Sequence, residues 1–174
     1  MKIVLAGGCF WCTEAAYQII RGVRSVKPGY AGGHTLHPTY EDVVQGDTGH
    51  AEAIEVDFDE SIISFKNILR IFWAIHDPTS LNRQGADVGA QYRSAIFYSD
   101  NPQKRIAEKS MQEAQKLWDK PIVTTLEPLT NFYEAEPYHR DYFANHPEQA
   151  YCQIVINPKL AKLRKLHQEL LKHV

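Results

Sequence analysis

Polar and apolar positions alternate with different periods along this chain, and the changes of period delimit its elements. Residues 2–6 form a short apolar run stopped by Gly7 and Gly8, which predicts a buried strand. A helix is predicted over residues 13–20 and a second strand over 23–30, broken at Pro28-Gly29. Residues 32–49 carry Gly, His, Pro and Tyr without periodicity. They predict a long loop with one helical turn near 41–44, and loops of that length in compact domains are often functional. In residues 51–58, Ile54, Val56 and Phe58 share one strand face. Ile62, Phe65, Leu69 and Phe72 recur at helical spacing, so a helix is predicted over 61–75, ending before Pro78.

The second half continues the alternation. Residues 92–98 are aromatic and β-branched and predict a strand. Asn101 followed by Pro102 reads as the cap of a helix running to about residue 118. A strand over 122–126, a short helix over 137–144 and a last strand over 151–156 follow, and Asn157-Pro158 opens a C-terminal helix. That helix sets Leu160, Leu163, Leu166 and Leu170 against the core and leaves its Lys and Arg solvated. Strands and helices alternate, so the fold class is α/β (α+β): a two-layer arrangement with a mixed sheet.

Composition narrows the function classes. A chain of 174 residues is read as a single domain over 1–174. Its net charge of −2 gives no electrostatic case for nucleic acid or an anionic membrane, and no apolar stretch is long enough to span a bilayer. The apolar start is too short for a secretory signal, so a cytoplasmic setting is expected, where thiols stay reduced. Three cysteines, an odd number, also argue against a closed disulfide framework.

Two of those cysteines stand in "GGCFWC", residues 7–12. A strand, a glycine turn and a helix start put Cys9 at a helix N-terminus, where unpaired amides favour a thiolate. The glycines permit close approach by a ligand, and Phe10 and Trp11 are large enough to wall an apolar pocket. The same spacing fits a dithiol redox pair or half of a zinc site, and a lone buried cysteine is also an ordinary core residue. A second signal is Glu52, which has the parity of Ile54, Val56 and Phe58 and so points inward, unless the strand end already lies in solvent. An inward carboxyl is desolvated, which raises its pKa into the range where it donates protons near neutrality. Tyr40 and Tyr92 supply hydroxyls that stay protonated there, or are simply amphipathic core-edge residues.

GCFW after a short strand, then "GYAGG", "PTYEDV", "GHAEAIEVDFD", "FWAIHDPTSLNRQGADVGAQYRSAIFY" and "FYEAEPYHRDYF", resemble the peptide methionine sulfoxide reductases of the A type, in the same order over residues 3–165. The resemblance implies a two-layer α/β roll with long irregular connections. It implies reduction of the S epimer of methionine sulfoxide, free or within oxidised proteins, with no cofactor, by a chain expected to be a monomer. By the same resemblance Cys9 is the nucleophile, Glu52 the proton donor, Tyr40 and Tyr92 the hydroxyls that hold the sulfoxide oxygen, and Phe10 and Trp11 the wall for the methyl group. Asp87 is a pocket carboxylate and His139 a pocket-side histidine. A second thiol must then resolve the sulfenic acid left on Cys9, before an outside reductant, thioredoxin or another dithiol, opens the disulfide. The resemblance favours Cys152, in "EQAYCQIVINPKL", although it shares strand parity with Ile154 and Ile156; Cys12, three residues from Cys9, is the alternative or a relay.

Overall fold

A computed structural model describes residues 1–173. Its centre is a six-stranded mixed sheet. Strand β1 (Lys2–Gly7) leads through Gly8 to helix α1 (Phe10–Gln18), and strand β2 (Val23–Ala31) follows. After helix α2 (Tyr40–Gln45) come strand β3 (Ala51–Phe58) and helix α3 (Phe65–Ile75). The two-residue strands β4 (Arg83–Gln84) and β5 (Asp87–Val88) form a separate hairpin. Strand β6 (Ser94–Tyr98), helix α4 (Asn101–Gln115), and strands β7 (Thr125–Pro128) and β8 (Phe132–Glu134) lead to helix α5 (Tyr142–Asn145) and helix α6 (Asn157–Leu166). The strand order is β7-β6-β1-β3-β2-β8, antiparallel except for β6–β7.

Both faces of the sheet are covered, which explains why β1 has no polar interior position. Ile3, Leu5, Ile54, Val56 and Phe58 face the main core with Ile68, Leu69, Ala107, Leu160 and Leu163 from the helices. Val4, Ala6, Ala51, Ala53 and Phe97 face a smaller core that Leu129 and Phe132 close. Each buried aliphatic side chain contributes about 1.5–3 kcal/mol of transfer free energy.

Several elements differ from the sequence reading. Helix α1 starts three residues earlier than predicted, directly after Cys9. Strand β2 runs through Pro28-Gly29: the Pro28 carbonyl accepts from Ala135 N at 2.9 Å, so its missing N–H falls at the end of the pairing with β8. The loop turn near 41–44 is a six-residue helix closed by a capping box between Thr39 and Asp42. Helix α3 begins at Phe65, because Ser64 caps it by accepting from Asn67 N; Ile62 lies outside and is 52% exposed. Tyr92 belongs to a 3-10 turn, not to β6. Asp100, rather than Asn101, caps α4 by accepting from Gln103 N at 2.8 Å. The strand expected over 122–126 forms at Thr125–Pro128, where it can pair with β6. The helix expected over 137–144 is a 3-10 turn, a left-handed Asp141 and then α5.

The largest change is at residues 151–156. They are helical and run into α6 through a π-turn, Cys152–Ile156, in which Asn157 N–H reaches back to Cys152 O. Pro158 offers no donor, and the wider turn accommodates the proline. Burial follows helical spacing: Cys152, Ile156, Leu160 and Leu163 are buried, while Ile154, which strand parity would bury, is 72% exposed. Leu166 is likewise exposed on α6.

Candidate active site

Gly8 turns the chain from β1 into α1 with a φ of +93°. A Cβ there would meet Gln84 Cγ at 2.6 Å, because the β4–β5 hairpin is pressed against the turn. Cys9 is therefore delivered as the N-cap residue of α1. From the neighbouring strand β3, Glu52 projects on the same side as Ile54 and is 2% exposed; its Oε2 accepts the Phe10 amide at 3.1 Å. The parity that points this carboxyl inward is thus the parity seen in the fold.

Cys9, Glu52, Tyr40 and Tyr92 line one cavity of about 160 Å³, whose walls are completed by Phe10, Trp11, Asp87 and Tyr151. It is small beside the roughly 300–1,000 Å³ of sites for larger ligands. Wider grooves of about 520 and 540 Å³ elsewhere on the surface carry no cysteine. Seven of these eight side chains are the ones the sequence singles out. Tyr40 is held by Glu136, which accepts the Tyr40 amide at 3.0 Å and the Tyr30 hydroxyl at 2.9 Å. Trp11 stacks on Tyr142 at 3.8 Å between ring centroids and 7° from parallel.

His139 is not on the cavity. It stands behind the aromatic wall, where Nδ1 accepts from Trp11 Nε1 at 3.1 Å and the ring lies 4.9 Å from Phe10 and 4.6 Å from Tyr40. Its pKa is lowered by burial, so the neutral ring supports the wall. Tyr151 is the residue that sequence reasoning missed. Its hydroxyl donates to Asp87 Oδ2 at 2.7 Å and lies 3.6 Å from Cys12 Sγ.

The dry site sets its own ionisation. Burial raises Glu52 to about 8, with the Asp87 charge adding and the Phe10 amide opposing. Burial likewise pushes the Cys9 thiol well above its ordinary value, helped by a hydrogen bond with Cys12 and by the charge of Glu52. Cys12 moves the other way, to about 7, because the Cys9 thiol bonds to it. A helix N-terminus favours a thiolate on Cys9, and burial in this dry site acts against it. Burial also raises Tyr40, to about 12, and raises Tyr92, so both remain hydrogen-bond donors at neutral pH. Cys152 lies on the buried face of the segment before α6 and does not reach the cavity.

Comparison with known proteins adds an identity to this geometry. The family model for peptide methionine sulfoxide reductase matches residues 1–171. A peptide methionine sulfoxide reductase MsrA from Thermus thermophilus is 60% identical over 168 residues, covering 97% of this chain and 96% of that protein. Among solved structures, reduced Mxr1 from Saccharomyces cerevisiae superimposes with a TM-score of 0.81 at 36% identity, over 87% of this chain and 88% of the other. Mxr1 in complex with Trx2 gives a TM-score of 0.57 at 28% identity, over 82% and 84%. A match that spans the chain, with these residues converging on one cavity, means that this chain belongs to the peptide methionine sulfoxide reductases of the MsrA type, oxidoreductases that act on sulfur groups.

Proposed function

We propose that the chain reduces the S epimer of methionine sulfoxide, free or in oxidised proteins, with Cys9 as nucleophile and Glu52 as general acid. The observation that carries this reading is the convergence of Cys9, a buried carboxyl and two tyrosine hydroxyls on one small cavity. A sulfoxide oxygen leaves poorly until it is protonated. Glu52 donates that proton as Cys9 sulfur attacks, and Tyr40 and Tyr92 hold the oxygen. Phe10 and Trp11 receive the methyl group, so hydroxyls and aromatic wall sense opposite substituents of one chiral sulfur. Asp87 helps to hold the substrate. In net terms the oxygen moves from methionine sulfur to Cys9: thiol and sulfoxide become sulfenic acid and thioether.

The resolving thiol is Cys12 on this reading, in preference to Cys152. Cys12 lies one helical turn from Cys9 and its thiol pKa is lowered by that neighbour, whereas Cys152 belongs to the segment before α6 and does not line the cavity. Its sulfur displaces hydroxide from the sulfenic acid, giving a Cys9–Cys12 disulfide and water. Cys152 remains available as a later relay. The Mxr1–Trx2 complex supports a thioredoxin as the dithiol that reopens the disulfide. The test is consumption of the separated sulfoxide epimers by wild type and by Cys9→Ser. Loss of the S epimer alone, abolished in Cys9→Ser, is expected; equal loss of both epimers, or activity without Cys9, refutes the reading.

A further inference from the structure

Glu14 lies outside the cavity, is 1% exposed, and takes part in none of the proposed steps. A carboxyl buried to that extent destabilises the fold unless its oxygens find donors. Its donors come from the far end of the chain. Oε1 accepts the Asp141 amide at 3.0 Å, and the neighbouring Tyr142 amide also favours the charged carboxyl. One helical turn on, Gln18 Nε2 donates to Asp141 Oδ1 at 2.6 Å. Asp141 needs this grip: it has a φ of +55°, and its own side chain does not cap α5. Helix α1 therefore supplies, through Glu14, the acceptor that the start of α5 lacks.

The first residue of α5 is Tyr142, and it carries the face-to-face stack on Trp11. Trp11 belongs to α1 as well, so one helix carries both the wall and the clasp that backs it. The indole also bonds through its N–H to His139, meets the His139 and Phe10 rings tilted at 5.8 and 6.5 Å, and has an edge contact with Tyr151 at 5.9 Å. None of these lies parallel to its flat face as Tyr142 does.

We infer that Glu14 is a positioning residue for the apolar wall: by fixing the Asp141–Tyr142 turn against α1 it sets where the Trp11 indole stands, and thereby which S-alkyl group the cavity accepts. The inference rests on the reading of Trp11 as the surface that receives the substrate's methyl group. A wall held in place discriminates one methylene by about 10–200-fold, and a shift of about 1 Å in such a surface is costly.

The experiment compares methionine sulfoxide with ethionine sulfoxide, which adds one methylene on sulfur, for wild type, Glu14→Ala, Glu14→Gln and Tyr142→Leu. In Glu14→Ala, KM for methionine sulfoxide rises about tenfold with kcat within about twofold, and the methyl-over-ethyl preference narrows at least about fivefold. Glu14→Gln, which keeps an acceptor for the Asp141 amide, returns the preference to within about twofold of wild type. Unchanged preference in a folded Glu14→Ala, or a fall in kcat equal for both substrates, overturns the inference. Should Glu14→Ala not fold, Tyr142→Leu decides: it keeps the clasp and removes the stack, and an undiminished preference overturns the inference equally.

A second readout is independent of activity. In a 15N-labelled protein the Trp11 indole N–H resonance shifts or broadens in Glu14→Ala while those of Trp73 and Trp118 stay in place; movement of all three, or of none, contradicts the proposed link. Failure of the wild type on both sulfoxides would instead defeat the proposed activity, and the resonances would still report on the clasp.

Discussion

Glu52→Gln separates the proton from everything else this side chain does. Gln has nearly the same volume, and its Oε1 still accepts the Phe10 amide that Glu52 accepts at 3.1 Å. What disappears is a proton donor, and a positioned general acid is worth about 10²–10⁴-fold in rate. The single-turnover rate of the pre-reduced enzyme at neutral pH is therefore expected to fall by about 10³-fold. The pH profile carries the sharper test. With Glu52 near 8, the carboxyl is protonated at pH 7 and gives up its proton above 8, so kcat/KM of the wild type declines on the alkaline side. Ionisation of Cys9 would act in the opposite sense, since its thiolate grows with pH. The alkaline decline is absent in Glu52→Gln.

Stability moves against activity. The folded carboxyl titrates near 8 and an unburied one at 4.5, so between those values the folded chain keeps a proton that the unfolded chain has released. The contribution of Glu52 to stability is therefore full below about pH 4.5 and is lost as pH rises to about 8, by up to about 5 kcal/mol, and the Gln variant lacks this part of the pH dependence. The expected variant is slower than wild type and, at alkaline pH, more resistant to urea. Methionine formation by stopped flow across about pH 5.5 to 9.5, with urea unfolding at both ends, measures both effects. A Glu52→Gln enzyme within tenfold of wild type, or one that keeps the same alkaline decline, would refute the assignment of Glu52 as the acid.

The remaining predictions are briefer. Cys12→Ser is expected to form one methionine per chain and then stop with a sulfenic acid on Cys9 that dimedone traps, whereas Cys152→Ser still closes the Cys9–Cys12 disulfide; the opposite pattern would return the resolving role to Cys152. Tyr151→Phe removes a hydroxyl that lowers Cys12 from its ordinary value, so the pH midpoint of Cys12 alkylation moves upward from about 7. Gly8→Ala forces a side chain onto a φ of +93° and against Gln84, and lowers stability by about 1–3 kcal/mol in denaturant titration, together with activity. Ile54→Ala, in the middle of the main core, lowers it by about 2–5 kcal/mol and leaves the cavity side chains in place.

What was legible in the sequence depended on whether a local rule and the tertiary packing agreed. In β3 one face lies under the helices, so the period-2 pattern that exposes Ile54, Val56 and Phe58 as a set also carries Glu52. At residues 151–156 the two disagreed. A run of Tyr, Cys, Ile, Val and Ile suits a strand by composition, but α6 already needed a buried face, and the run extends it backwards at helical spacing. The error hid Tyr151, because a strand end gave no reason to bring that hydroxyl to Cys12. The hairpin that supplies Asp87 was beyond periodicity altogether: two strands of two residues show no period, and their place is set by Gln84 locking to the backbone of Asp77. Glu14 was equally silent, because nothing local links residue 14 to residue 141.

Thiol ionisation has one part that a sequence shows and one that it does not. Helix-end amides are local and visible in a sequence; desolvation is a property of the assembled site, and here it acts against the Cys9 thiolate. The same dryness that makes Glu52 an acid holds back the Cys9 thiolate. On the proposed reading these are one arrangement. Before reaction the thiol and the carboxyl are both neutral; Glu52 gives its proton to the sulfoxide oxygen and regains one as the Cys9 sulfur attacks; afterwards a neutral sulfenic acid faces a neutral carboxyl. No net charge is created in a cavity that would stabilise it poorly. Cys12, one helical turn away beside the Tyr151 hydroxyl, is the thiol whose pKa is lowered, and the second step requires an attacking sulfur there. A free thiolate on Cys9 in the resting enzyme would lie beside Glu52, and the Glu52 charge raises the Cys9 pKa. On this reading, a thiol and a carboxyl that are both neutral at rest let a nucleophile and a general acid share one small dry space.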